Sequence, residues 1–188
     1  MVAQALVNAH FNPKAASVAF EDYKPGDKLV PFKVLDGVVK GSELTGISYE
    51  QLIPWFNPGE GAFKVIPGDY VTTEDGTGIV HIAPTFGADD AKVARLAGVP
   101  GLQVVDRNGD LQAQVDLRGR FFCVEDLDPE YAAANMSPEY AEWAGRFVKN
   151  AYDPTLDADA PTLDVDICVM LKQQNKAFRI EKHTHNYP

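Results

Sequence analysis

Residues 75–90 constrain the fold more than any other stretch of this chain. They read Asp-Gly-Thr-Gly-Ile-Val-His-Ile-Ala-Pro-Thr-Phe-Gly-Ala-Asp-Asp. Gly76 and Gly78 permit a sharp turn or the close approach of another group. Residues 79–83 are predicted to form a short strand, which Pro84 ends because it has no N–H to give to a ladder. The two aspartates that follow are predicted to start a helix.

His81 and Asp90 are the candidate chemical groups of this stretch. On a strand, His81 would share a face with apolar side chains and have others on the opposite face, so it is predicted to be buried. One interpretation is structural: an aspartate caps the helix, and His81 is a core histidine with its hydrogen bonds satisfied. The other is functional: one cap is enough, so the second aspartate is free to face a cleft beside His81. The residue types leave both open.

Length and charge limit the class of protein. The chain has 188 residues, of which 45% are hydrophobic, and this composition predicts one compact domain with a sizeable core. No run approaches the roughly 20 apolar residues of a membrane span, and no secretory signal is present, so a soluble cytoplasmic protein is predicted. The net charge of -10 disfavours a dedicated nucleic-acid binder, because phosphate contacts require a basic surface.

Other candidate sites are weaker. Cys123 and Cys168 fit no metal or redox spacing, so buried free thiols are predicted. His183 and His185 would share a strand face but have no third ligand in view, so no metal site is predicted. The acidic residues from Asp153 onward lack the glycine and final glutamate of a calcium loop. No serine or cysteine lies beside a histidine in a recognised spacing, so a positioned water is the better candidate nucleophile.

The remaining elements are predicted from periodicity and punctuation. An amphipathic helix is expected within residues 1–11, and a hairpin is expected at residues 102–115 because Asn108-Gly109 tolerates positive φ. Trp55 and Phe56 are expected in the core. One helix is predicted to start at Ser137-Pro138, and its apolar stripe would consist of Tyr140, Trp143, Phe147 and Ala151. A second helix is predicted to start at Asp159 and Pro161 and to run to about residue 175. Its inward-facing side chains would be Leu163, Ile167, Met170 and Leu171. Further strands are predicted within residues 29–39, 63–73 and 177–182.

The stretch from Asp75 to Asp90 closely resembles the signature of the editing domain, or connective polypeptide 1, inserted in isoleucyl-tRNA synthetases of class I. Residues 181–188 resemble the segment that leads from this insertion back toward the synthetase body. Residues 49–55 and 149–154 are also similar, so the resemblance covers nearly the whole chain. Leucyl and valyl relatives carry methionine and lysine, respectively, in the position of His81, which favours the isoleucyl branch.

The resemblance implies a fold and a reaction. The expected fold is mixed α/β, with a barrel-like twisted sheet of about six strands and peripheral helices. The expected reaction is hydrolysis of valine from mischarged tRNA(Ile), needed because one missing methylene allows only about 150-fold discrimination in the synthetic site. By analogy, Asp90 binds the α-ammonium of the valyl group and His81 lines the side-chain pocket. Water attacks the ester with help from a ribose hydroxyl and without a metal. The further substrate-binding candidates are Thr72, Thr77, Ala83 and Phe86.

The family's threonine-rich pocket segment is not found in this sequence. Residues 1–188 are therefore expected to be a single editing domain truncated at both ends, with little or no hydrolytic activity of its own. The expected partners are mischarged tRNA(Ile) and the rest of the synthetase in cis, without a membrane, in a monomer. ATP and Mg²⁺ would act outside this chain. The alternative is a non-catalytic module that binds a small amine or a protein, with Asp90 only a helix cap.

Overall fold

The computed structural model describes residues 1–34, 37, 39–150, 153–157, 160 and 163–181. The chain divides into two compact units, each built from two stretches of sequence. Unit 1 comprises Met1–Glu50 and Gly61–Pro100, and unit 2 comprises Gln51–Glu60 and Gly101–Pro188. The single editing domain expected over residues 1–188 stays a prediction.

Short helices and loops dominate both units. The α-helices are α1 (Val7–His10), α2 (Ala88–Leu96), α3 (Pro129–Asn135) and α4 (Leu163–Gln173). Two strands, β1 (Val104–Val105) and β2 (Leu111–Gln112), form an antiparallel pair. Short 3₁₀ turns lie at Gln4–Leu6, Pro13–Ser17, Phe20–Asp22, Gly41–Leu44, Val124–Asp126 and Pro138–Glu142. The mixed α/β class is confirmed.

The described residues do not form the expected sheet of about six strands. Outside β1 and β2, pairing is limited to isolated antiparallel bridges such as Ser48 with Lys64 and Val115 with Phe121. Residues 63–73 contain Pro67-Gly68, and Phe63 itself has a φ of 53°, which interrupts extended pairing. The described parts of residues 29–39 and 177–182 also contain no strand.

The N-terminal segment of unit 1 folds as predicted and packs on the glycine-rich stretch. The turn Gln4–Leu6 continues into α1, and Leu6 is buried. The backbone N–H of Ala3 donates to the Thr77 carbonyl at 2.8 Å, and Nε2 of His10 lies 2.6 Å from the Gly76 carbonyl oxygen. The backbone carbonyl groups of Gly76 and Thr77 are therefore both bound by the N-terminal segment.

Unit 2 contains an aromatic core, and Trp55 and Phe56 are buried in it as predicted. The Phe56 ring meets Tyr140 edge-on, with the ring centroids 4.5 Å apart. The Ser137 N–H donates to the Trp55 carbonyl at 2.8 Å, which ties this loop to the chain beside it. The other buried members are Val104, Phe121, Leu127, Trp143 and Leu163. Burial of large apolar side chains is the main stabilising contribution to such a core.

The predicted hairpin is confirmed. Val104 pairs with Gln112 and Val105 pairs with Leu111. Between them, Gly109 has a φ of 83°, as the Asn-Gly pair required. The Asp106 carboxylate accepts from the N–H groups of Asn108 and Asp110 and so closes the turn.

The helix expected from Ser137 is wrong in type and length. Ser137 does cap Pro138–Glu142, but this is a five-residue 3₁₀ turn and not an α-helix. Gly145 follows with a φ of 74°, and Phe147 forms a bridge with Arg120 and does not continue a helix. The expected cap residues Asp159 and Pro161 of the next helix, and Ala151 of the expected stripe, lie outside the described residues, whereas α4 itself is confirmed.

Candidate functional site

Residues 79–83 do not form the predicted strand, and this changes the setting of His81. The hydroxyl of Thr77 donates to the Ile79 carbonyl at 2.9 Å and accepts the Ile79 N–H at 3.3 Å. It therefore occupies the two backbone groups that Ile79 would use to pair with a neighbouring strand. Val80 is 50% exposed. His81 is also exposed, so the prediction that it is buried away from water is wrong. The alternating pattern showed two apolar faces, but the described residues supply no neighbouring strand to cover them.

Asp90 closes a turn that we call the Asp90 loop, residues 83–90. Its Oδ2 atom accepts the backbone N–H of Ala83 at 2.8 Å, seven residues back along the chain. The Ala83 carbonyl in turn accepts the N–H groups of Phe86 and Gly87 at 3.0 and 3.1 Å. Asp90 is half-buried and is the third residue of α2, so its negative charge lies beside the positive end of the helix dipole.

The simple capping interpretation of the aspartates is wrong in its detail. The residue before the first turn of α2 is Gly87, and no side chain caps the helix there. Asp89 is exposed. Oδ1 of Asp90 accepts no hydrogen bond from the part of the chain that the structure describes. The carboxylate is therefore held by one oxygen and keeps acceptor capacity on the other.

Gly87 allows this close approach. A Cβ atom at this position would lie 2.9 Å from Asp90 Oδ2 and 3.0 Å from its Cγ. Both distances are shorter than van der Waals contact permits. Because the φ of Gly87 is -116°, the backbone conformation itself would accept alanine. The glycine is needed for space beside the carboxylate.

The structure brings only some of the predicted site residues together. Ala83 and Asp90 are in direct contact, and Phe86 lies in the same loop but is 65% exposed. Thr77 is held against Ile79, and Thr72 accepts the N–H of Glu74 at 3.4 Å; both threonines are exposed. No hydrogen bond or ion pair among the described residues joins His81 to Asp90.

A groove in unit 2 was not predicted from the sequence. It has a volume of about 760 Å³ and lies between the 52–55 loop, the turn Pro138–Glu142 and one face of α4. Trp55 and Trp143 form its floor, with ring centroids 5.1 Å apart. Asp166 and Val169 lie on the helix side of the groove, where i, i+3 spacing places them on one face. Because the groove is formed by segments that are distant in sequence, no local sequence pattern predicts it.

Two further groups in unit 2 are shaped by burial. The Tyr140 hydroxyl donates to the Phe122 carbonyl at 2.7 Å, and burial raises the pKa of this phenol. Burial also raises the pKa of the Cys123 thiol. Both Cys123 and Cys168 are free, as predicted, although each is only half-buried.

Comparison with known proteins decides the family. The chain is 62% identical over 189 residues to the isoleucine–tRNA ligase of Bacteroides fragilis, a match that covers all of this chain and 16% of that protein. It is 56% identical over 190 residues to the enzyme of Porphyromonas gingivalis, again across the whole chain. The chain belongs to the isoleucyl-tRNA synthetases. The resemblance to isoleucyl-tRNA synthetases inferred from residues 75–90 is therefore confirmed, whereas the assignment to the editing domain stays a prediction.

The family assignment extends to distant members but concerns one segment. The isoleucine–tRNA ligase of Thermoplasma volcanium is 38% identical over 157 residues, or 84% of this chain. The chain spans about a sixth of the length of its Bacteroides relative, since the match covers 16% of it. No family model matches the chain.

Three expectations concern metals, histidines and membranes. His183 and His185 lie outside the described residues. Within the described ranges, no group of three His, Cys, Asp or Glu side chains is placed to hold a metal ion. None of the helices in those ranges is long and apolar enough to cross a bilayer.

Proposed function

We propose that this chain is the editing part of an isoleucyl-tRNA synthetase and that, within the longer enzyme, it hydrolyses valine from mischarged tRNA(Ile). The observation that carries the proposal is the match of the whole chain to isoleucine–tRNA ligases at 62% identity. The chemical need is specific to this substrate pair. A pocket that accepts isoleucine rejects valine by only about 150-fold, so a second site must remove the smaller product.

Asp90 is the proposed anchor for the substrate. Its Oδ2 atom is held by the Ala83 N–H, which fixes the side chain on the rigid end of α2. Its Oδ1 atom is then available to accept the α-ammonium of the valyl group. A charge-assisted hydrogen bond of this kind is shorter and stronger than a neutral one. Anchoring the ammonium places the ester carbonyl at a fixed distance from Asp90.

In the proposed reaction, water attacks the carbonyl carbon of the ester. A C–O bond forms to water, and the C–O bond to the ribose breaks. The ribose oxygen takes a proton, so the products are valine and tRNA with a free terminal hydroxyl. The neighbouring ribose hydroxyl assists the attacking water. The chain contributes position and charge, which are established sources of rate enhancement.

His81 is proposed to line the side-chain pocket and to exclude isoleucine. Thr72, Thr77, Ala83 and Phe86 are proposed as further contacts to the substrate. Because His81 and Phe86 are exposed, the proposal requires that other parts of the synthetase cover them. The barrel-like sheet of about six strands is also part of this proposal. Isolated bridges such as Ser48 to Lys64 are the strand pairs from which such a sheet would be built.

The setting of the reaction is part of the proposal. Editing uses no cofactor, whereas ATP and Mg²⁺ serve the synthetic site outside this chain. Mischarged tRNA(Ile) is the substrate, the rest of the synthetase is the partner in cis, and the enzyme is a cytoplasmic monomer. With a net charge of -10, this chain is poorly suited to provide most of the phosphate contacts, so these are assigned to the rest of the enzyme.

Binding of a non-hydrolysable valyl-adenosine analogue tests the role of Asp90. A version extended at both ends to match the longer relatives should bind the analogue, and Asp90→Asn should abolish binding while keeping an oxygen for the Ala83 N–H. Asp89→Asn is the matched control and should bind normally, because Asp89 is exposed. If Asp90→Asn binds as well as the parent, Asp90 is a structural residue and a non-catalytic binding module becomes the better account.

A further inference from the structure

The groove of unit 2 combines an apolar floor with an acidic rim. Its floor includes Trp55 and Trp143, whose small exposed fractions of 6% and 8% show that they are held firmly in the core. On the rim, Leu52 and Val169 are about half exposed, at 51% and 47%. Large apolar side chains left exposed beside a groove are typical of interaction surfaces.

The groove has fixed walls. The Ser137 N–H donates to the Trp55 carbonyl at 2.8 Å and so links the 52–55 loop to the turn Pro138–Glu142. At the far end, Nζ of Lys176 lies 3.4 Å from the Leu52 carbonyl oxygen, which links the same loop to the segment after α4. A preformed groove loses little conformational entropy when a ligand binds.

The charges around the groove select its occupant. Three of its lining residues are acidic, Glu139, Glu142 and Asp166, against one lysine. Asp166 is already paired with the Arg146 guanidinium, which also stacks on Trp143 with its carbon 5.1 Å from the ring centroid. Glu139 and Glu142 are exposed and form no ion pair within the described part of the chain. Two carboxylates therefore remain available to a cationic ligand.

Two other occupants are disfavoured by the same charges. A nucleic-acid backbone would place phosphates against Glu139 and Glu142. A second copy of this chain would bring together two molecules that each carry a net charge of -10. A basic polypeptide segment has the complementary charge, and its apolar side chains could cover Leu52 and Val169.

We propose that this groove docks a basic polypeptide segment with apolar anchor side chains, supplied by the part of the synthetase outside this chain. The matched relatives extend well beyond this segment, since the chain covers only 16% of the Bacteroides fragilis enzyme. The inference rests on membership in a longer synthetase and does not depend on hydrolysis at Asp90. Its failure and the failure of the editing proposal are therefore separate results.

Peptide binding tests the proposal directly. Short overlapping peptides that cover the remainder of the Bacteroides fragilis enzyme would be titrated into the 188-residue chain. Both tryptophans of the chain line the groove, so intrinsic fluorescence reports on its occupancy. We expect a peptide that combines lysine or arginine with apolar residues to bind, with affinity falling as NaCl is raised from about 0.05 to about 0.5 M.

Matched variants assign that binding to the groove. Replacing both rim glutamates, Glu139→Gln with Glu142→Gln, should weaken binding roughly fivefold, or about 1 kcal/mol for the two exposed ion pairs together. Glu125→Gln with Glu130→Gln makes the same charge change away from the groove and should leave binding unchanged.

A second pair of variants tests the apolar side. Val169→Lys should reduce binding at least tenfold, whereas Val165→Lys, at an exposed position on the same helix but outside the groove, should not. The proposal is overturned if no peptide binds. It is also overturned if acidic peptides bind as well as basic ones, or if the groove variants behave like their controls.

Discussion

The hydrogen bond between Ala83 and Asp90 can be tested by a double-mutant cycle with Gly87. In Gly87→Ala, the new Cβ would lie 2.9 Å from Asp90 Oδ2, so the carboxylate must move. The atom that moves is the one that accepts the Ala83 N–H at 2.8 Å. A substitution at Gly87 should therefore break a bond that Gly87 itself does not make.

The expected magnitudes follow from burial. Hydrogen bonds to charged groups contribute about 1.5–3 kcal/mol, and the half-buried position of Asp90 places this one near the lower end. With about 0.5 kcal/mol from the helix dipole, Asp90→Ala should lower the free energy of unfolding by about 2 kcal/mol. Gly87→Ala should lower it by about 1 kcal/mol, since the lost bond is partly offset by the smaller entropy of an unfolded chain without that glycine.

The cycle is measured by urea unfolding of the parent, both single variants and the double variant, with hydrogen exchange at Ala83 as a local probe. In the Asp90→Ala background, Gly87→Ala should instead stabilise by about 0.5 kcal/mol, because only its effect on the unfolded chain remains, and this gives a coupling of about 1.5 kcal/mol. Asp89→Ala is the control and should cost only about 0.5 kcal/mol. Additive effects of Gly87→Ala and Asp90→Ala, or unchanged exchange at Ala83, would refute the reasoning.

Three other predictions concern separate parts of the chain. Gly78→Ala should release the N-terminal segment, because its Cβ would lie 2.7 Å from the Ala3 Cβ and its φ is 76°; faster hydrogen exchange at Ala3 would show this. Tyr140→Phe should lower the free energy of unfolding by about 1–2 kcal/mol, and because burial raises the pKa of Tyr140, the parent's advantage should shrink above about pH 10 in urea titrations. The pKa of Asp106 is lowered, chiefly by the hydrogen bond from the Asp110 N–H. The contribution of Asp106 to the free energy of unfolding is therefore complete above about pH 4 and is lost as the pH falls further. Asp106→Asn should remove this acid dependence from unfolding curves.

Features set by neighbouring residues were predictable from the sequence. Asn108-Gly109 specified the hairpin turn, and Ser137 specified a cap, because each acts within a few residues of itself. Helix α3 could also have been found, since Asp128 followed by Pro129 is a cap and first-turn pair, and the Asp128 side chain accepts the Tyr131 N–H at 2.7 Å.

Features that depend on distant partners were not predictable. The alternation in residues 79–83 indicated a strand, but a strand also needs a neighbour, and the Thr77 hydroxyl instead occupies the backbone groups of Ile79. The bond from Ala83 to Asp90 spans seven residues and depends on the absence of a side chain at Gly87. The sequence motif identified the family correctly, whereas the prediction from its alternating pattern that His81 is buried was wrong.

Deacylation of valyl-tRNA(Ile) tests the central claim most directly. The assay compares this chain, a version extended at both ends to match the longer relatives, and the extended version with Asp90→Ala. The account predicts that only the extended parent releases valine, while this chain and the Asp90→Ala protein release little or none. A folded extended parent without activity, or an active Asp90→Ala protein, would contradict it.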